Sequence, residues 1–288
     1  MVDSYQENPV SDVPPMQRHD RGSLTYADSF ENPLSAAAIR AIEWMTGKYT
    51  IVRAVRRFEK VQPTPVGQAF WGAAMKVMGI DLTTPADQFA NIPKSGPVVV
   101  VANHPHGMVD GMILAELIGR ARPDYKILTR SLLTGIDETA GSFMIPVPFP
   151  HDKDAQQKGL EMRARAMAEL KSGGVVALFP SGVVASSDSM FGPAVEAEWN
   201  VFTAKMIRRS GAAVVPIHFM GANSRWYQIA NRVSPMLRQG LLLHEIAHAF
   251  NKPQGPVIGP AFDRDEVDAR IGEPREFMKW LRERTLEL

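Results

Sequence analysis

The sequence predicts an α/β fold, a largely parallel sheet flanked by helices, with a helical extension ahead of it. Three observations predict this. From about residue 97, short valine-rich apolar segments alternate with longer segments of helical periodicity, the pattern of parallel strands joined by crossover helices. The strand segments are continuous rather than alternating, as in Pro97–Asn103, "PVVVVAN", so they read as covered on both faces. The chain has 288 residues, 45% of them hydrophobic and 22% charged, enough to bury a sizeable core.

Residues 1–30 are polar, proline-containing and without period, and are expected to form a flexible tail. They hold no apolar core and do not read as a signal peptide. Residues 31–85 read as an amphipathic helical extension. Ile39, Ile42, Met45, Tyr49, Val52, Val55 and Phe58 repeat at helical spacing, with Lys48, Arg53, Arg56, Arg57 and Lys60 on other faces. Pro63 and Pro65 end that helix. Val66–Ile80 is a second amphipathic stretch with Phe70, Trp71, Met75 and Met78. Two readings fit this pair: helices packed on the core, or an interfacial membrane element with Trp, Phe and Met beside basic residues. No run reaches the roughly 18 to 20 apolar residues of a spanning helix.

Residues 86–288 carry the alternation. After "PVVVVAN" come a helix at "GMILAELIGRA", a strand at "YKILTR", a short extended piece at "FMIPVPF", and a helix at "AQQKGLEMRARAMAELKSGG" closed by Gly173 and Gly174. A strand at "VVALFPSG", a helix over "EAEWNVFTAKMIRRSG", a strand at "AAVVPIHFMG" and a final βα-like region ending in "REFMKWLRERTLEL" follow. Lys and Arg number 32 against 31 Asp and Glu, a balance that argues neither for nor against nucleic acid. Cysteine is absent, which removes disulfides, thiolate metal sites and a cysteine nucleophile.

Ligands of such sheets gather beyond the carboxyl ends of the strands. His104–Asp110, Phe179–Gly182 and Pro216–Gly221 all lie there. A histidine just past a strand, with a carboxylate six positions on, can pair through one ring nitrogen. The other nitrogen is then a stronger base toward a hydroxyl. Such a dyad has no nucleophile of its own and suits direct attack of a substrate alcohol on an activated acyl group. The bland reading is an Asn-His turn with Asp110 capping the next helix. A metal reading of His104, His106 and Asp110 meets Gly111 where a further ligand would stand. A rival site is His244-Glu245-Ile246-Ala247-His248, which fits the zinc-protease pattern H-E-x-x-H. No histidine follows His248, Pro253 soon stops the helix, and nothing marks Asp263, Asp265, Glu266 or Glu273 as a third ligand. Asp188, Glu196 and Glu198 are expected to face solvent. Arg225, Trp226 and Tyr227 read either as an acceptor-site lining or as a surface turn.

"ANHPHGMVDG" resembles the first motif of the glycerolipid (lysophospholipid) acyltransferase superfamily, "VVALFPSGVVAS" its third and "AVVPIHFMG" its fourth. The likeness spans about residues 97–262 and is closer to the branch with N-H-P-x-G-x-x-D-G, F-P-A/S-G and a later G-x-N-S, which "GANSRWYQ" fits. That branch includes hemolysin-like proteins and O-acyltransferases of ornithine and related amino-acid lipids. The resemblance implies an acyltransferase domain over residues 86–288. It implies His104 as general base oriented by Asp110, and substrate contacts from Asn103, His106, Gly107, Arg130, Phe179, Pro180, Ser181, Gly182, Asn223 and Arg225. It implies an acyl thioester donor on CoA or acyl carrier protein and a lyso-lipid acceptor. It leaves no cofactor, no metal and no nucleic-acid partner, and places the enzyme peripherally on the cytoplasmic face of the inner membrane.

The departures are as informative. The His104–Asp110 spacing is one residue longer than the commonest form, which leaves His106 as a second candidate base. Ser181 stands where Glu is usual and Val184 where Arg is usual, and no arginine follows Phe143 in "MIPVPFP". Such arginines would clamp a phosphate bidentately. Their absence favours a lyso-aminolipid acceptor, ornithine-lipid-like, over 1-acylglycerol-3-phosphate.

Overall fold

Valine packs best on a pleated surface buried on both sides, and every side chain of Val98–Ala102 is fully buried. That strand is the middle of the sheet. The computed structural model describes residues 25, 27, 32–130, 138–148, 154–187, 189 and 192–288. Most of the expected tail, residues 1–30, lies outside the described residues.

Helix α1 (Pro33–Glu43) runs through a π-helical turn (Trp44–Lys48) into α2 (Tyr49–Phe58). Then come α3 (Ala69–Met78), β1 (Asp81–Leu82), a 3₁₀ turn (Ala86–Asn91), β2 (Val98–Ala102), α4 (Met108–Ala121), β3 (Tyr125–Arg130), α5 (Glu138–Ser142) and β4 (Met144–Val147). The second half holds α6 (Ala155–Lys171), β5 (Val175–Leu178), α7 (Val201–Ser210), β6 (Ala213–His218), α8 (Arg225–Val233), α9 (Pro235–Gly240) and α10 (Leu242–His248). It closes with β7 (Pro253–Gln254), β8 (Val257–Ile258), α11 (Arg264–Arg270) and α12 (Pro274–Leu286).

The main sheet is ordered β4-β3-β5-β2-β6-β8. All its pairings are parallel except β6 with β8, which is antiparallel. Because side chains alternate along a strand, β2 feeds two cores. Val98, Val100 and Ala102 meet Trp71, Met75 and Met78 of α3 and Ile113, Leu114, Leu117 and Ile118 of α4. Val99 and Val101 meet Ala166 and Leu170 of α6, Ala204 and Ile207 of α7, and Phe277 and Leu281 of α12.

Two expectations need correcting. The helix expected from Glu196 begins only at Val201, because the Asn200 side chain caps it by accepting the Phe202 N–H at 2.8 Å. The residues before it bridge back, Ser186 pairing with Val195. Within the extension, Trp71, Met75 and Met78 belong to the core, so the apolar face of α3 is not available to a membrane. Lys48 is also buried, its ammonium 5.6 Å from the Trp44 ring centroid. What remains on the surface is Leu34, Trp44, Met45, Tyr49 and Val66, with Met45 85% exposed, alongside exposed Arg53, Arg56 and Arg57. Among the described residues no helix is long and apolar enough to cross a membrane.

Candidate active site

Strand β2 is flanked by β5 and β6, so the segments leaving the carboxyl ends of these three neighbours meet. The first is fastened by Asn103. Its Nδ2 donates to the Phe219 carbonyl at 2.9 Å and its Oδ1 accepts the Phe219 N–H at 2.7 Å. The Asn103 amide thereby ties the end of β2 to the end of β6.

Gly107 turns the chain into α4 with φ +83°, a conformation glycine adopts without strain. The turn sets Asp110 at the third helical position. Its Oδ2 accepts the backbone N–H of His106 at 2.7 Å and of Gly107 at 3.1 Å. Asp110 thus supports the helix start from inside it, without being the N-cap itself. The same carboxylate, with no exposure, also meets both imidazoles. His104 Nδ1 lies 3.1 Å from Oδ2 and His106 Nδ1 lies 2.9 Å from Oδ1.

Burial would raise the Asp110 pKa, but the hydrogen bonds and charges of His104 and His106 outweigh it and hold the carboxyl below its ordinary value. Burial likewise lowers the affinity of His106 for a proton. The Asp110 hydrogen bond and the Asp110 and Glu245 charges more than offset this, against a small opposing effect of Lys252, and His106 is raised. With Nδ1 of His104 committed to Asp110, Nε2 is the nitrogen left to take a proton from a ligand. The His104 ring stacks on Phe179, centroids 4.0 Å apart and planes 18° apart. The far edge of His106 packs on Gly221, where an added Cβ would sit 3.1 Å from Nε2.

The Phe179–Gly182 turn lies beside this pair. Pro180 accepts the Asn200 N–H at 3.0 Å, and the Ser181 hydroxyl donates to the Val183 carbonyl at 2.9 Å. Gly182 is exposed at φ +67° with open space around it. The expected solvent-facing role of Glu196 is overturned: its carboxylate is buried and accepts the His104 N–H at 3.1 Å. Nothing in its local pattern marked it except the aromatic Trp199 and the capping Asn200 that follow. Glu198 is exposed as expected, and Asp188 lies outside the described residues.

Asn223 is buried, and its Nδ2 has no hydrogen-bond partner among the described residues. Arg225 is exposed at the start of α8, donating to the Gly192 carbonyl at 3.1 Å. Arg130 ends β3, one strand beyond β5, and its side chain lies outside the described residues. The H-E-x-x-H stretch has structural employment. Glu245 is buried and accepts the Ser224 N–H at 2.8 Å and the Ser224 hydroxyl at 2.5 Å. His244 Nδ1 faces the Thr46 carbonyl at 3.2 Å. Among the described residues, no three His, Asp or Glu side chains converge as metal ligands would.

The family model described as "Acyltransferase" matches residues 87–220, which hold the whole of this constellation from Asn103 to Phe219. Over those residues the chain is similar to acyltransferases. Among similar proteins is a lyso-glycine lipid O-acyltransferase of Phocaeicola vulgatus, 28% identical over 177 residues, 60% of each chain. Another of the same description, from Bacteroides thetaiotaomicron, is 30% identical over 165 residues, 56% of this chain and 54% of that protein. The chain thus spans little more than half the length of these relatives. The chain also shares its fold with the 1-acyl-sn-glycerophosphate (LPA) acyltransferase PlsC of Thermotoga maritima, at TM-score 0.50 and 13% identity over 88% of this chain and 91% of that one.

Proposed function

We propose that the protein moves a fatty acyl group from a thioester to the hydroxyl of a lyso-lipid, with His104 as general base and Asp110 as its orienting carboxylate. The observation that carries this reading is the buried Asp110 carboxylate at Nδ1 of His104, on the edge where the ends of β2, β5 and β6 meet. His104 Nε2 takes the proton of the acceptor hydroxyl as its oxygen attacks the thioester carbonyl carbon. The tetrahedral adduct expels the thiolate, which recovers that proton from the imidazolium and leaves as thiol. Asp110 stabilises the transient positive charge.

The acceptor is an N-acylated amino acid bearing a free 3-hydroxyl on its acyl chain. Support comes from the lyso-glycine lipid description of both relatives. It also comes from Ser181 and Val184 at the positions where a carboxylate and a phosphate-clamping arginine are usual. The donor is a thioester of CoA or acyl carrier protein, and no further cofactor enters this chemistry. Carriers of that kind place the reaction at the cytoplasmic face of a membrane, where Leu34, Trp44, Met45 and Tyr49 offer a peripheral apolar contact. A competition assay tests the acceptor. The purified protein is given an acyl thioester with equimolar lyso-glycine lipid and lyso-phosphatidate, and the aminolipid is expected to be acylated first. Preference for lyso-phosphatidate would overturn the headgroup while leaving acyl transfer standing.

A further inference from the structure

The backbone of His104 is gripped through both its N–H and its carbonyl by one segment distant in sequence. The His104 carbonyl accepts the Ala185 N–H at 2.8 Å, and the His104 N–H donates to Glu196 Oε2 at 3.1 Å. The two grips are themselves joined, Ser186 N–H to Val195 carbonyl at 3.2 Å and Val195 N–H to Ser186 carbonyl at 2.9 Å. Glu196 is in turn fixed. Its other oxygen accepts the indole N–H of the buried Trp199 at 3.1 Å, and its backbone carbonyl accepts a guanidinium N–H of Arg282 from α12. A carboxylate is costly to bury unless its oxygens are satisfied, and both oxygens of this one are.

We propose that Glu196 is a positioning residue for His104. Asp110 fixes the ring of His104 at Nδ1 and thereby its tautomer. Glu196 fixes the backbone from which the ring hangs, and so the direction in which Nε2 faces the acceptor hydroxyl. The two carboxylates act on different degrees of freedom of one side chain. A group held short of productive geometry by a fraction of an ångström loses rate without losing ligand affinity. Glu196 therefore acts on turnover. This inference rests on His104 being the base.

Three near-isosteric variants test it by steady-state kinetics with both substrates varied, beside thermal unfolding. Glu196→Gln keeps an acceptor oxygen at the same reach. Glu196→Asp keeps the charge but withdraws it by one methylene, and Glu196→Met keeps the volume and no acceptor. The expected order of kcat is wild type, then Gln within about threefold, then Asp and Met lower by about ten- to a hundredfold, with KM for both substrates within about twofold throughout. An Asp variant as active as wild type beside an inactive Gln variant would show that charge, not position, matters and would overturn the proposal. So would an Asp or Met variant with wild-type kcat. A loss of kcat that merely tracks loss of folded protein, with no recovery in Gln, would reduce Glu196 to a structural residue and equally overturn it. His104→Ala in the same assay separates the two levels. Wild-type turnover there removes the base assignment itself, whereas an inactive His104→Ala beside a fully active Glu196→Met removes only the role of Glu196.

Discussion

The Nδ1 atom of His104 stands 3.1 Å from Oδ2 of Asp110, a carboxylate entirely closed to solvent. A pairing that close fixes one tautomer and leaves Nε2 as the working nitrogen. His104→Ala and Asp110→Ala are each expected to lower acyl transfer by about 10²- to 10⁴-fold, the usual contribution of a general base. The His104 side chain is 17% exposed where Asp110 is fully closed, so the His104 variant should stay folded by circular dichroism. Full turnover in His104→Ala together with loss in His106→Ala would move the base to His106.

His106 shares the same carboxylate and is raised, while Asp110 is lowered. A histidine whose folded pKa exceeds its unfolded value contributes stability that is complete below the unfolded value near 6.5 and fades as pH rises through the folded one. The stability gap between wild type and His106→Gln should therefore be larger at pH 6 than at pH 9. Asp110 contributes in the opposite sense, its share being lost as pH falls below about 3.8. Urea titrations at the two pH values measure the gap, and a gap that widens at pH 9 would contradict the assigned ion pair.

Glu245 holds Ser224, and Ser224 caps α8 by accepting the Tyr227 N–H at 3.3 Å. Removing a buried acceptor strands its donors, at a cost of about 1–3 kcal/mol. Glu245→Ala should lose stability of that order while the remaining folded protein transfers acyl groups normally, and chelators should leave the rate unchanged. Stoichiometric zinc that disappears on replacing His244 or His248 would contradict this reading of the helix.

Trp44 and Met45 are exposed on the turn that joins α1 to α2, and Tyr49 is exposed at the first residue of α2. Placing one large apolar side chain in a bilayer interface is worth about 1.5–3 kcal/mol when fully buried. Replacing all three with serine should weaken co-sedimentation with anionic vesicles by more than about tenfold and leave the melting temperature within a few degrees. Unchanged vesicle binding would place the membrane contact elsewhere. Deleting residues 35–80 would not test it, since Trp71 and Met75 would leave the core.

What could be read from the sequence was local. The valine runs of β2 and β5 and the six-residue step from His104 to Asp110 are written in neighbouring positions, and the fold keeps them together. An amphipathic helix, by contrast, reads the same whether its apolar face meets a sheet or a bilayer, and α3 turned out to meet the sheet. Glu196 reaches His104 across 92 positions, a pairing no local pattern encodes. The Asn200 cap that frees Glu196 from the helix was legible, but the pull of the following apolar periodicity masked it. Glu245 shows the converse, since a motif with the right letters serves a turn because Ser224 lies opposite it.

The most direct measurement is turnover by the purified protein with an acyl thioester and lyso-glycine lipid, followed by mass spectrometry of the lipid product, for wild type and His104→Ala side by side. The account predicts a diacylated aminolipid, equimolar with released thiol, formed by wild type and reduced at least about a hundredfold in the variant. Equal product from both proteins, or none from wild type with either a CoA or a carrier-protein thioester and any lyso-lipid offered, would contradict it.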